Sequence, residues 1–262
     1  MYHHRLVISY KGTSYFGWQD LGTSEQKPTV QASIHQILKK ICKYQSCTIS
    51  AASRTDSGVH AQGQVVKITI AIAIESGKLL LGMNSLLPDD IRVLQCEPCA
   101  AEFNSNKDSK SKEYHYYFCT DPIYNPVLND IVAHIPSTST ASATGPLDIE
   151  LMQRACKLFI GEHDFYSFAR RDANISSTFR TIFSCEILQA QSSTFGNKIY
   201  YLKIVGNGFL RHMVRYIAGA LFALGRSQLS LSGISEALVN HKEEKVSSRA
   251  KSRGLHLIQI CY

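Results

Sequence analysis

The spacing of hydrophobic residues alternates between a strand period and a helix period, and this pattern most constrains the fold. RLVISY at 5–10 alternates as a strand does, and Thr29 is a candidate N-cap for an amphipathic helix. The apolar face of that helix consists of Val30, Ile34, Ile37, Leu38 and Ile41. The elements predicted after it are strands at about 48–52 and 64–70, a helix at 77–86 and a strand at 91–97. The order β-α-β-β-α-β is typical of a ferredoxin-like unit.

The second half of the chain repeats this order of elements without repeating the sequence. The predicted elements are strands at EYHYYFC, RTIFSCEIL, KIYYLKIV and GLHLIQIC, with helices at 147–161, 209–225 and about 230–240. We therefore predict an α+β fold of two ferredoxin-like (RRM-like) units, residues 1–105 and 106–262, that form a largely antiparallel sheet with a central cleft. The Ser- and Thr-rich segment 135–146 is interpreted as a surface loop.

Composition excludes several classes of protein. Of the 262 residues, 44% are hydrophobic and 19% charged, which is ordinary for a soluble globular protein. No run of 18 apolar residues exists, and MYHHRLVISY has no apolar segment typical of a signal peptide, so we expect a cytoplasmic protein. The chain has eight cysteines but only one CxxC, at Cys96 and Cys99, whereas a tetrahedral zinc site needs four ligands. We expect reduced thiols and no bound metal.

The formal net charge of +7 suggests a polyanionic partner. Basic residues stand beside aromatic ones in three regions of the chain: Lys107, Lys110 and Lys112; Arg170, Arg171 and Arg180; and Lys242, Lys245, Arg249, Lys251 and Arg253. Cations next to rings on which bases can stack suit a nucleic acid. The alternative is a set of solvated faces with aromatic residues in the core.

The segment SRTDSGVHAQGQV at 53–65 has almost no hydrophobic content. Asp-Ser-Gly is a turn signature, because Asp caps its own backbone and Gly supplies a positive φ. A plain turn leaves the polar side chains around it unexplained, namely Arg54, Thr55, His60, Gln62 and Gln64. Such a group indicates the lining of a site, since catalytic residues tend to lie on loops held by rigid strands.

Five motifs in this order, YKGTSYFGWQ, SRTDSGVHAQGQV, NSLLPDDIRV, GEHDFYSF and GFLRHMVRYIAGAL, resemble the bacterial tRNA pseudouridine synthase A family. The resemblance covers nearly the whole chain, from about residue 5 to 262, and RTDSGVHA is its most specific block. It implies the pseudouridine synthase fold and isomerisation of uridines at positions 38, 39 and 40 in the anticodon stem-loop of tRNA. It also implies a homodimer that contacts one anticodon arm with both subunits, and no cofactor.

The resemblance assigns a role to each candidate site residue. It makes Asp56 the nucleophile, which suits a carboxylate that can form a covalent adduct and later leave. Arg54 would brace the RNA from which the target nucleotide has been flipped out, with His60 and Gln62 lining the same site. It also assigns three residues of the second half: Tyr114, which packs on the reacting base; Arg215, held close to the nucleophile; and Leu210, an apolar wall.

Plainer interpretations and two departures stay open beside these roles. A strand tyrosine is usually a core residue, and Arg54 can simply pair with Asp56 on the surface. Asn106 stands where the family has an arginine, and AKSR replaces a proline-containing turn before the last strand. A non-catalytic RNA-binding module has the same element order, and a small-molecule enzyme could use the same carboxylate.

Overall fold

The computed structural model describes residues 1–20, 28–136, 146–170, 176–190, 196–241 and 244–262. Within these ranges the chain forms two compact units, Met1–Lys110 with His256–Tyr262, and Ser111–Leu255. The division predicted near residue 105 leaves the last strand in the second half, whereas the structure groups that strand with the first unit. Most of the predicted loop at 135–146 lies outside the described residues, as do Arg171 and Lys242.

The described residues form ten strands and five α-helices. In chain order these are β1 Tyr2–Tyr10, α1 Val30–Ile41, β2 Cys47–Ala51, β3 His60–Ile70, α2 Ser76–Leu86, β4 Ile91–Pro98, β5 Ser111–Cys119, β6 Ala133–His134, α3 Ile149–Cys156, β7 Gly161–Asp164, β8 Phe179–Gln189, β9 Ile199–Gly206, α4 Met213–Gly225, α5 Leu231–Val239 and β10 Leu255–Cys261. Strand pairing is mostly antiparallel, which confirms the α+β class. The ferredoxin-like description of each unit stays a prediction. None of the helices in the described part is long and apolar enough to cross a membrane.

The sheet of the first unit is built around β3. Strand β1 runs antiparallel along one edge of β3 and also pairs with β4. Along the other edge, β2 pairs antiparallel with residues 66–70 of β3, and β10 pairs in parallel with its first two residues. Leu6, Ile8 and Tyr10 of β1 are buried in alternation, as a strand with one covered face requires. This arrangement fixes the start of β3, which follows directly after the SRTDSGV loop.

Helix α1 packs on this sheet through the face that the sequence predicts. Its N-cap, Thr29, accepts a hydrogen bond from the amide of Ala32 at 3.2 Å, a contact worth about 1 kcal/mol at such positions. Val30, Ile34 and Leu38 are fully buried. The sequence therefore predicted both the start and the buried face of this helix.

The second unit contains the antiparallel strands β5, β9, β8 and β7 in that order, with β6 paired in parallel to β5. Helix α4 is almost completely buried, and the chain at 247–250 crosses it, with Ser247 and Ala250 hydrogen-bonded to its first turn. A Cβ at Gly219 of α4 would lie 2.0 Å from the carbonyl oxygen of Ser248, so only glycine permits this approach.

Two helices are shorter than the sequence predicts. The helix predicted at 147–161 ends at Cys156, continues as a 3₁₀ turn over Lys157–Phe159, and gives way to β7 at Gly161, whose φ is +108°. The helix predicted from residue 209 begins at Met213, because His212 adopts the left-handed conformation with φ 65°. Hydrophobic spacing alone does not register either change in backbone conformation.

Candidate active site

The SRTDSGV segment forms a tight turn that carries Asp56. The amide of Val59 donates to the carbonyl oxygen of Asp56 at 3.1 Å, and Gly58 has a φ of +75°. This geometry needs a residue that tolerates positive φ at the third position of the turn, which explains the glycine. Asp56 is half-buried and Arg54 is exposed.

The turn is held by the segment YKGTSYFGW at 10–18. The amide of Trp18 donates to the carbonyl of Thr55 at 3.0 Å, and the hydroxyls of Tyr10 and Thr55 share a hydrogen bond of 2.7 Å. Ser57 donates through its hydroxyl to the carbonyl of Tyr15 at 3.3 Å. These bonds fix the backbone on both sides of Asp56.

Two polar residues near the turn support it from within the protein. Gln64 is completely buried, and its amide accepts from the amide of Ser53 at 3.2 Å and donates to the Ser53 carbonyl at 2.6 Å. His60 is buried, accepts from the amide of Gly12 at its Nδ1 atom, and stacks on His256 with ring centroids 4.5 Å apart. By contrast, Gln62 is exposed on β3.

In the second unit, Tyr114 lies on β5 with its ring buried. It meets Phe209 edge to face, with ring centroids 5.2 Å apart and planes at 82°. Tyr116, two residues further on the same face, is a core residue that packs on Phe222 and donates to the carbonyl of Lys251 at 2.9 Å. Burial raises the pKa of the Tyr116 hydroxyl well above its usual value.

Arg215 projects from the first turn of α4 and is only 7% exposed. Its Nε atom donates to the carbonyl of Ala250 at 2.8 Å, and the amide of Ala250 donates to the Arg215 carbonyl at 3.1 Å. Leu210, in the turn before the helix, is also buried. Arg215 is therefore held between α4 and the chain segment that crosses it.

The structure places Lys112 differently from the other lysines of its sequence cluster. Lys107 and Lys110 are exposed, whereas Lys112 is only 8% exposed. Burial, and to a smaller extent repulsion from Arg180, lower the pKa of Lys112 to about 8. The basic cluster in the sequence does not distinguish this buried cation, although the strand period of β5 places Lys112 on the same face as Tyr114.

Other predicted features lie on the surface or pack within the protein. Lys245 lies over the rings of Tyr166 and Tyr216, with its ammonium 5.4 and 5.9 Å from their centroids. Asn106 is exposed in a loop that is ordered by the Asn104 side chain.

All eight cysteines are free thiols. Among the described residues, no three His, Cys, Asp or Glu side chains form a group that could hold a metal ion.

Comparison with known proteins assigns the chain to one family. A family model described as tRNA pseudouridine synthase matches residues 6–104 and 155–262. These stretches include Asp56 and Arg215, whereas Lys112 and Tyr114 lie between them.

The full-length relatives carry the same description. The chain is 51% identical to tRNA pseudouridine synthase A 2 of Desulfotalea psychrophila, over 99% of this chain and 98% of the relative. It is 33% identical to tRNA pseudouridine synthase A of Listeria innocua over the full length of both, and 33% identical to that of Ruminiclostridium cellulolyticum over 98% of each. The chain therefore belongs to the tRNA pseudouridine synthase A family, a family of isomerases.

Proposed function

We propose that this protein converts uridine to pseudouridine at positions 38, 39 and 40 in the anticodon stem-loop of tRNA, with Asp56 as the nucleophile. The observation that carries the proposal is the fixed turn around Asp56. A half-buried carboxylate lies on a turn whose backbone is bonded on both sides to residues 10–18. A nucleophile needs such a fixed position, because small displacements of a reacting group are costly in rate.

The reaction is an isomerisation in which nothing is added or lost. The bond between N1 of uracil and C1′ of ribose breaks, the base turns, and C5 of uracil forms a new bond to C1′. The proton that leaves C5 is balanced by the proton that N1 gains. Asp56 provides a covalent anchor while the base turns, and later leaves as a carboxylate. Attack by Asp56 on the ribose and attack on the base would both lead to this product.

The other candidate residues take roles that fit their environments. The exposed guanidinium of Arg54 can occupy the space left in the RNA by the flipped nucleotide, whose removal from the stack costs a few kcal/mol. Tyr114 offers its ring to the reacting base, and Leu210 supplies an apolar wall. Arg215 is the proposed catalytic cation. Gln62 contacts substrate from β3, and His60 acts through the loop that it supports.

Further parts of the proposal follow from the family. We place the enzyme in the cytoplasm as a homodimer of two-unit subunits, each unit ferredoxin-like, with an RNA-binding cleft in each subunit. Sedimentation of the purified protein would test the dimer directly, because a single species of 29.2 kDa would contradict it.

The decisive experiment combines an activity assay with a binding assay. Unmodified tRNA transcript is incubated with the wild-type protein and with Asp56→Asn, and pseudouridine is mapped by position. We expect product at positions 38 to 40 for the wild type, none for Asp56→Asn, and similar tRNA affinity for both. Glu102→Gln, which makes the same chemical change at an exposed residue of the first unit, should remain fully active. Turnover by Asp56→Asn would refute the assignment of the nucleophile.

A further inference from the structure

Two cations of the second unit lie close together beside the Tyr114–Phe209 ring pair. Lys112 on β5 is paired with Gly206 on β9, and Gly206 is paired with Ile182 on β8, two residues after Arg180. Burial is the main cause of the lowered pKa of Lys112, and repulsion from the positive charge of Arg180 is the second cause. The ammonium and the guanidinium therefore approach each other across the sheet.

Arg180 has no acidic partner among the described residues. Its Nη1 atom donates to the carbonyl oxygens of Ser177 at 3.0 Å and Phe179 at 2.5 Å, and these are its hydrogen bonds. The side chain is partly buried, and this burial lowers its pKa. Carbonyl oxygens satisfy hydrogen-bond donors but leave the positive charge uncompensated, which is costly for a partly buried cation.

Gly206 on β9 lies between the two cations and the ring pair, and as a glycine it has no side chain. A Cβ at Gly206 would lie 3.3 Å from the Cζ atom of Phe209 and 2.8 Å from a methyl group of Ile182. Glycine thus lets the Phe209 ring lie over β9, where it meets Tyr114. One face of the sheet therefore carries a packed pair of aromatic rings next to two cations.

We propose that Lys112 and Arg180 together bind one phosphate group of the RNA, next to the nucleotide whose base packs on the Tyr114–Phe209 pair. A phosphate carries a negative charge that both cations can contact at once, and a guanidinium matches its oxygen atoms in pairs. Rings and cations side by side are also the usual means of holding a single-stranded nucleotide. This inference rests on the proposed function and adds the phosphate that the site recognises.

The test removes one phosphate charge at a time from the RNA. Synthetic anticodon stem-loops carry a neutral methylphosphonate at a single position, and their affinities are measured for the wild type, Lys112→Met and Arg180→Met. We expect the wild type to lose affinity at a small set of positions. Both variants should lose sensitivity at one and the same position. Each should also lower the slope of log K against log salt by about 0.7 to 0.9, the contribution of one phosphate contact.

Two controls separate this pair from general electrostatic attraction and from misfolding. Lys110→Met removes a neighbouring lysine and should keep the sensitivity at that phosphate position. Lys112→Arg restores a positive charge and should recover most of the affinity. Unchanged sensitivity of Lys112→Met and Arg180→Met at every position would overturn the inference, provided that thermal unfolding shows both to be folded. Absence of pseudouridine formation by the wild type would instead refute the proposed function.

Discussion

Gly17→Ala would displace the loop that carries Asp56 without changing any side chain of the proposed site. Gly17 has a φ of +92°, a conformation that alanine adopts only with strain. A Cβ there would lie 2.6 Å from the carbonyl oxygen of Thr55 and 2.9 Å from the carbonyl carbon of Asp56. Both neighbours are backbone atoms, so the turn itself has to move.

The size of the effect follows from two separate terms. The left-handed conformation costs an alanine about 1 to 2 kcal/mol. Forcing an extra carbon into a packed region costs about 1 to 3 kcal/mol more. The sum of about 2 to 5 kcal/mol lowers the melting temperature by about 4 to 20 °C for a protein of this size. A shift of the Asp56 carboxylate by about 1 Å would lower kcat by about 100-fold.

Two other glycines separate these terms. Gly196 has a φ of +77°, and a Cβ added there would meet no atom of the described residues within 4 Å, so Gly196→Ala tests the backbone term alone. Gly12 lies outside the left-handed region, but its Cβ would be 2.0 Å from the carbonyl oxygen of Val59, so Gly12→Ala tests crowding of the same loop.

The assay measures thermal unfolding and kcat at saturating tRNA, well below the lowest melting temperature. We expect Gly196→Ala to keep wild-type kcat, while Gly12→Ala and Gly17→Ala lose it. The reasoning would be refuted if Gly17→Ala kept both the melting temperature and the kcat of the wild type.

Three further predictions concern single side chains. Arg215→Met should lower activity by orders of magnitude, and the double mutant with Asp56→Asn should be scarcely less active than either single variant, because the effects of residues that act on one step are not additive. Additive losses in single-turnover assays would contradict this. Tyr114→Phe keeps the ring and Tyr114→Ala removes it, so loss of turnover only in Tyr114→Ala assigns the role to the ring, and full activity of both variants excludes Tyr114 from the site. Because the pKa of Lys112 is lowered in the folded protein, the unfolded chain binds the proton more tightly, and the free energy of unfolding of the wild type should rise relative to that of Lys112→Met as the pH increases from about 8 towards 10.5. Denaturant titrations in which this difference stayed constant would contradict the shift.

The elements with regular hydrophobic spacing could be predicted from the sequence, and the irregular ones could not. Thr29 and the apolar face of α1 follow local rules that a short window contains. The left-handed His212, in contrast, is set where the chain turns from β9 into a buried helix, and its ring receives a hydrogen bond from Arg249 at 2.7 Å, 37 residues away. A backbone conformation fixed by such distant contacts leaves no periodic signal.

The turn at Asp56 shows the same distinction within the candidate site. Asp-Ser-Gly predicted the turn, because its geometry depends on four consecutive residues. The polar residues around it predicted a site, yet Gln64 bonds the backbone of Ser53, and His60 accepts from Gly12. A polar residue that faces substrate cannot be distinguished in a sequence from one that supports a loop, because the contacts that bury it come from other parts of the chain.

Lys112 lies one residue before the predicted strand EYHYYFC, and extending the alternation of that strand by one residue predicts that Lys112 is buried. In the sequence it belongs with Lys107 and Lys110 as one basic cluster, and net charge treats all three alike. Lys107 and Lys110 precede β5, which begins at Ser111, whereas the period of two within β5 places Lys112 on the face of Tyr114, Tyr116 and Phe118, which is the buried face. An exposed lysine adds to general attraction for RNA, which salt screens, whereas a buried cation beside a second cation favours an anion at one defined point. The number of basic residues therefore predicts how strongly RNA is attracted, and the strand period predicts where a phosphate is held.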